Sequence, residues 1–198
     1  VGEMTDIIRK QMYYVGFRQA LSPVVDITRD PRWGRITETY GEDAALTSAM
    51  ASAFVKGIQG DELKEGVLAT AKHFAGHGIT EGGLNMGRNI VSERDMREIH
   101  CKPFQCAITE AGLKSVMNSY CSVNGEPVVG SKKMLTDILR GEMGFQGFVV
   151  SDYLSLDRLV DPFAVAENFE EAGIRAIQAG LDAVSYTHLR AHETLSDL

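Results

Sequence analysis

Cysteine is scarce and unpatterned in this chain. Cys101, Cys106 and Cys121 are the whole complement of 198 residues, and no two form a CxxC pair. An odd, unpaired set argues against a disulfide framework or a ribbon-type zinc site, and the three are expected as buried thiols. Positive charge is also in short supply. Lys and Arg number 20 against 27 Asp and Glu, a net charge of −7, so the basic face that nucleic acid requires is missing. No apolar run approaches the length of a bilayer span, so no transmembrane helix and no membrane partner are expected. There is no Asn-x-Ser/Thr sequon, and the chain begins at Val1, inside a helical pattern, rather than at an initiator Met. An upstream signal peptide is therefore not excluded, and cytoplasm, periplasm and secretion all stay open. The glycines Gly76, Gly78, Gly82 and Gly83 do not match GxGxxG in a tight strand-to-helix turn, which removes the dinucleotide-binding signature.

A hydrophobic content of 44% is ordinary for a globular chain and allows one sizeable domain. Apolar periodicity predicts helices over residues 1–20, 42–59, 92–111, 131–143 and 164–179. Ser92 with Asp95 forms a capping pair, and Gly60 and Gly112 act as stops. Strands are expected over 21–27, with Pro23 near its start, and over 66–74, 115–120 and 148–152, with another beginning at 180–183. Asn124-Gly125 occurs, but a helix follows it, so no hairpin is expected there. Regular alternation of strand and helix implies parallel strands with helical crossovers. Long loops (28–41, 75–91, 121–130 and 153–163) follow the strands, as at the carboxyl rim of a TIM barrel. The fold class expected is α/β, a partial (β/α)8 TIM-like barrel truncated at both ends; a Rossmann sheet is the alternative.

Several strand ends carry groups that a buried core would not choose. The first expected strand leads into Asp30-Pro31-Arg32-Trp33-Gly34-Arg35. The next three end in Lys72-His73, in Asn118-Ser119-Tyr120, and in Asp152 after the apolar run Phe148-Val149-Val150. Singly, each has a plain structural reading. Arg32 and Arg35 are surface charges at a turn, Trp33 is a core aromatic, and Asp152 caps the next helix. Together on one rim they make a pocket with cations, an imidazole, a phenol and a carboxylate. Such a pocket suits a neutral polyhydroxyl ligand, with Arg, Lys and His donating to hydroxyls and the cations keeping Asp152 ionised as a nucleophile requires. His73 and His77 have the spacing of HExxH ligands, but Phe74 replaces the Glu, and Gly76 and Gly78 argue against the helix that motif needs. No metal and no cofactor are expected.

The runs Ser22 to Ile27, Asp30 to Arg35, Thr39 to Asp43, Lys72-His73-Phe74, Val91 to Glu98, Val116 to Gly125 and Gly144 to Tyr153, in that order, resemble the N-terminal barrel domain of family 3 glycoside hydrolases, the family of β-glucosidases and β-xylosidases. The resemblance implies Asp152 as catalytic nucleophile of a retaining double displacement, with Arg35, Lys72, His73 and Tyr120 binding the sugar. It implies a β-linked oligosaccharide or aryl glycoside as substrate, and an acid/base Glu on a downstream α/β sandwich domain missing from this chain. The β-N-acetylglucosaminidase branch of the family uses an Asp-His pair after Lys-His. Here Gly76-His77-Gly78 agrees with that branch, but Glu81 to Asn85 replaces its Asp-Ser-His segment. Leu84 stands where relatives often have Arg, and Tyr153 where many β-glucosidases have Trp, so glucosides and xylosides both remain open. Residues 1–183 are expected as the partial barrel. Residues 184–198 depart from the pattern and resemble translated adapter DNA, a tail without a role. The alternatives are a carbohydrate-binding fragment without turnover and, among enzymes, a phosphate-binding metabolic barrel, whose Gly-rich phosphate site after the late strands is absent.

Overall fold

The computed structural model describes residues 1–185. In chain order it contains α1 (Gly2–Tyr14), β1 (Gln19–Ala20), α2 (Ala44–Gln59), β2 (Leu68–Phe74), β3 (Arg88–Asn89), α3 (Glu93–Asp95), α4 (Lys102–Ala111), β4 (Ser115–Asn118), β5 (Ser122–Val123) and β6 (Glu126–Pro127). A widely wound helix, Lys133–Glu142, leads to β7 (Phe148–Val150), α5 (Ser155–Val160) and α6 (Phe169–Ala179).

β1, β2, β4 and β7 form a parallel sheet in that order, and Ala183 pairs with Val150 on the far side. Neighbours in the sheet are therefore neighbours in the chain, joined by the crossovers α2, α3–α4 and Lys133–Glu142. A doubly wound sheet reverses its strand order at a switch point, and this one does not. The sheet is an arc of a (β/α) barrel, as expected, and the Rossmann alternative falls.

β7 reads as a continuous apolar run, as a strand covered on both faces does. Ala69, Ala71, Val116 and Val149 are wholly buried and share one core with Val55 and Ile58 of α2, Phe104 of α4, and Leu135 and Leu139. Phe74 meets Phe104 edge-on, with ring centroids 5.1 Å apart. Asp43 starts α2 by accepting the Leu46 N–H at 2.6 Å. Ser92 accepts the Asp95 N–H at 3.0 Å, the capping pair that the sequence predicts. The three cysteines are free and buried.

Several expectations need correction. The strand over 21–27 is not continuous. Residue pairing with β2 is made by β1, just before this stretch, and by Val24 opposite Lys72, with the Ser22 carbonyl accepting from Thr70 N–H at 3.0 Å. Pro23, which has no N–H, lies between them and contributes only its carbonyl, which accepts from Lys72 N–H at 3.0 Å. Helix 92–111 is divided: α3 passes through a wide turn, Met96–His100, and α4 restarts with Pro103 in its first turn. The expected helix 164–179 begins only at Phe169, with Asn168 accepting the Glu171 N–H, and α5 lies within the expected loop 153–163. Asn124-Gly125 does make a hairpin. β5 and β6 pair antiparallel across it, with φ of 51° at Asn124 and 93° at Gly125, the left-handed conformation that a two-residue turn needs. Of the tail expected over 184–198, residues 186–198 lie outside the described residues. Val184 packs partly against the core, and the Ser185 N–H donates to Ser151 Oγ at 3.1 Å.

Gly147 precedes β7 because no side chain fits there. A Cβ would lie 2.1 Å from the Lys114 carbonyl oxygen, which already accepts the Phe148 N–H at 3.0 Å. Gly147→Ala is expected to pry β7 from β4 and destabilise the protein by about 1–3 kcal/mol or more. Thermal unfolding of a protein carrying this sequence checks it; an unchanged melting temperature would show that the strands tolerate the intrusion.

Candidate active site

The carboxyl ends of the sheet strands bring most of the expected residues together. β2 delivers Lys72 and His73, β4 leads into Ser119-Tyr120, and β7 leads into Asp152-Tyr153. The β2–β4 register slips between Lys72 and Phe74, so His73 has no partner residue across the ladder. Such a bulge re-aims a side chain, and it turns the His73 ring into the buried centre of the site.

His73 Nδ1 lies 2.7 Å from Asp26 Oδ2, and its backbone N–H donates to the same oxygen at 3.2 Å. Both side chains are 1% exposed. Burial pushes Asp26 up to about 6 and His73 down to about 3, so at neutral pH a carboxylate faces a neutral imidazole and the contact is a hydrogen bond rather than an ion pair. On the other edge of the ring, Nε2 is 3.6 Å from Asp152 Oδ2.

Asp152 is held by its neighbours. Its N–H donates to Asn118 Oδ1 at 3.3 Å, and its Oδ1 accepts the Tyr153 N–H at 2.7 Å. Oδ2 is buried with no hydrogen-bond partner among the described residues. The Tyr120 hydroxyl donates to the Tyr153 carbonyl at 2.6 Å, and burial together with the nearby Asp152 carboxylate raises its pKa. Burial, then the charge of Arg35, lowers the pKa of Lys72, while Asp152 opposes the shift. Arg35 stands at the margin, its guanidinium paired with Glu38 by bonds of 2.7 and 2.8 Å.

A stack of rings forms one wall. His77 lies edge-on to His73 at 4.7 Å and to Tyr120 at 5.8 Å, and is tilted against Trp33 at 5.0 Å. Asn85 pins two of these rings, its carbonyl oxygen 2.8 Å from His77 Nε2 and its Oδ1 accepting from Trp33 Nε1 at 3.3 Å. Trp33 is thus buried, as its plain reading holds, and also backs the site. Leu84 is exposed.

Asp26 and Asn85 were not foreseen, and Asn118 was expected only as part of the polar strand end before Tyr120. Asp26 left one trace in the sequence, a carboxylate within the apolar run Val24-Val25-Asp26-Ile27. His73 and His77 do meet without a helix, because the chain turns back at Gly76 into a short helical turn, His77–Ile79. With Asp26 they bring three donor atoms within 4.8 Å of one another. One nitrogen of each imidazole is engaged, His73 Nδ1 by the Asp26 carboxylate and His77 Nε2 by the Asn85 carbonyl, and a metal at either atom would have to displace that bond. His73 Nε2 and His77 Nδ1 have no hydrogen-bond partner among the described residues. Activity is expected to survive exhaustive chelation. Stoichiometric zinc in metal analysis, with activity lost on its removal, would contradict this.

A parallel barrel arc here carries a carboxylate, an imidazole, a phenol and cations at its carboxyl rim, the edge at which barrel folds place their sites. The glycosyl hydrolase family 3 N terminal domain matches residues 1–193, and the chain belongs to that family. A β-xylosidase of Formosa agariphila is 40% identical over 187 residues, covering 92% of this chain and 26% of its own length. A β-glucosidase structure from Erythrobacter marinus superposes with a TM-score of 0.91 at 33% identity, covering 98% of this chain and 27% of that one. A mutant β-glucosidase of Listeria innocua in complex with laminaribiose gives a TM-score of 0.87 at 33% identity, over 98% of this chain and 28% of its own. The chain thus spans about a quarter of the length of the relatives it matches. Among the described residues no helix is long and apolar enough to cross a membrane.

Proposed function

We propose that this chain carries the nucleophile half of a retaining β-glycosidase acting on terminal β-glucosides or β-xylosides. The observation that carries the reading is Asp152, at the end of β7, with one carboxylate oxygen pinned by the Tyr153 N–H and the other, Oδ2, buried and without a hydrogen bond among the described residues. Oδ2 attacks the anomeric carbon, the bond to the aglycone oxygen breaks, and the aglycone leaves with a proton from a second carboxyl. That group, roughly 5–5.5 Å from the nucleophile in retaining enzymes, belongs to a domain beyond these residues. Water, deprotonated by the same group, then cleaves the glycosyl ester and restores Asp152.

Arg35, Lys72, His73 and Tyr120 hold the sugar. Cationic donors on its hydroxyls and an aromatic wall from Trp33, His77 and Tyr120 suit a ring with polar edges and apolar faces. The laminaribiose complex of the Listeria relative supports a β-linked glucan disaccharide as one substrate class.

The test is proton NMR of the first-formed sugar from aryl β-glucoside and aryl β-xyloside, with a full-length enzyme carrying this sequence. Retention predicts that the β-anomer accumulates first. An initial α-anomer would mean inversion, and binding without release of aglycone would mean a carbohydrate-binding protein.

A further inference from the structure

His73 lies between two carboxylates and is bonded to one of them. Asp26 Oδ2 takes both the ring Nδ1 and the backbone N–H of His73, fixing the orientation of ring and main chain with one atom. Asp152 Oδ2 lies 3.6 Å from Nε2, beyond hydrogen-bond length. An ionised carboxylate only accepts, so the single proton of the neutral ring sits on Nδ1 and Nε2 presents a lone pair. Nε2 and Asp152 Oδ2 are both buried without hydrogen-bond partners among the described residues. Two acceptors side by side repel, and a hydroxyl group that donates to one of them relieves the conflict.

We propose that Asp26 is a positioning residue that fixes His73 as the Nδ1–H tautomer, so that Nε2 accepts a hydrogen bond from a hydroxyl of the sugar held beside Asp152. The sugar in this statement rests on the glycosidase reading above; the tautomer does not. It departs from the sequence-based expectation that His73 donates. The pocket then pairs donors, Lys72 and Arg35, with a neutral acceptor, His73 Nε2, beside the Asp152 carboxylate, and so reads the direction of a hydroxyl as well as its place. A site built to bond a hydroxyl discriminates strongly against an analogue lacking it. His77 is set the opposite way: its Nε2 faces the Asn85 carbonyl, which can only accept, so its proton is on Nε2.

The test combines 15N spectra of histidine-labelled full-length enzyme with kinetics. The His73 resonances, assigned by their loss in His73→Gln, are expected to show a protonated Nδ1 and an unprotonated Nε2 in the wild type. The proton is expected to move to Nε2 in Asp26→Ala. Asp26→Ala should lower kcat/KM on an aryl β-glycoside about 10- to 100-fold through loss of a buried hydrogen bond. Asp26→Asn, whose amide oxygen still accepts from Nδ1–H, should recover most of that loss. Across monodeoxy aryl glycosides, one deoxy sugar should be poor with the wild type yet suffer no further loss from Asp26→Ala. A wild-type His73 protonated at Nε2 would overturn the proposal, and so would an equal loss from Asp26→Ala on every deoxy analogue. An enzyme with the expected tautomer but no turnover would support the Asp26 assignment and refute the glycosidase reading.

Discussion

Asp152→Ala, in a full-length enzyme that carries this sequence, is expected to lower kcat on a β-disaccharide by on the order of 10⁴-fold or more while leaving the protein folded. The double displacement has no other path to its covalent intermediate, so the loss falls on the chemical step. Folding should survive because the side chain contributes one bond to Tyr153 N–H, while the Asp152 N–H keeps its acceptor, Asn118 Oδ1. The space left beside His73 admits a small anion. Azide should therefore restore release of aglycone from an activated aryl β-glycoside and yield the α-glycosyl azide, the product of one inversion. Steady-state kinetics and product NMR check both effects. A variant within tenfold of the wild type, or a β-azide product, would contradict the assignment.

A polypeptide of these 198 residues alone is expected to self-associate and to leave cellobiose and xylobiose essentially unhydrolysed. A closed barrel of this type has eight strands, whereas the described sheet has four, with a further bridge at Ala183. Open sheet edges expose backbone donors and acceptors that pair readily with another chain. Helix faces add to the liability. Met4 and Ile7, one turn apart on α1, are 55% and 57% exposed, and Ile174 and Ile177 on α6 are 51% and 71% exposed. Under the proposed mechanism the acid carboxyl is also supplied from outside these residues, so only substrates whose leaving group needs no protonation remain open to Asp152. Size-exclusion chromatography with disaccharide assays decides it. A monodisperse monomer that hydrolyses either sugar at an ordinary enzymatic rate would refute the prediction.

What the sequence made legible follows from pattern and position. A strand covered on both faces leaves an unbroken apolar run, so β7 stands out, and the polar groups that follow β4 and β7, Tyr120 and Asp152, could be read as a rim. The structure brings His73 and Asp152 together there, with Tyr120 against the Tyr153 backbone. What was hidden depends on contacts distant in the chain. Asp26 matters through a bond to a residue 47 positions away, and within its own run it reads as one more strand residue. The register slip at His73 has no local sequence signal. The Asn124-Gly125 hairpin had its signal, but strands of two residues are too short to show alternation. The short helix α5 starts after Leu154, a non-glycine residue with φ of 57°, where no cap motif announces it.

The measurement that bears most directly on the central claim is covalent trapping. A full-length enzyme carrying this sequence, inactivated by a 2-deoxy-2-fluoro β-glycoside with an activated leaving group, should gain one fluoroglycosyl unit. Peptide mapping by mass spectrometry should place that unit on Asp152, and Asp152→Ala should acquire none. Labelling of a different carboxylate, or labelling that persists in Asp152→Ala, would contradict the account.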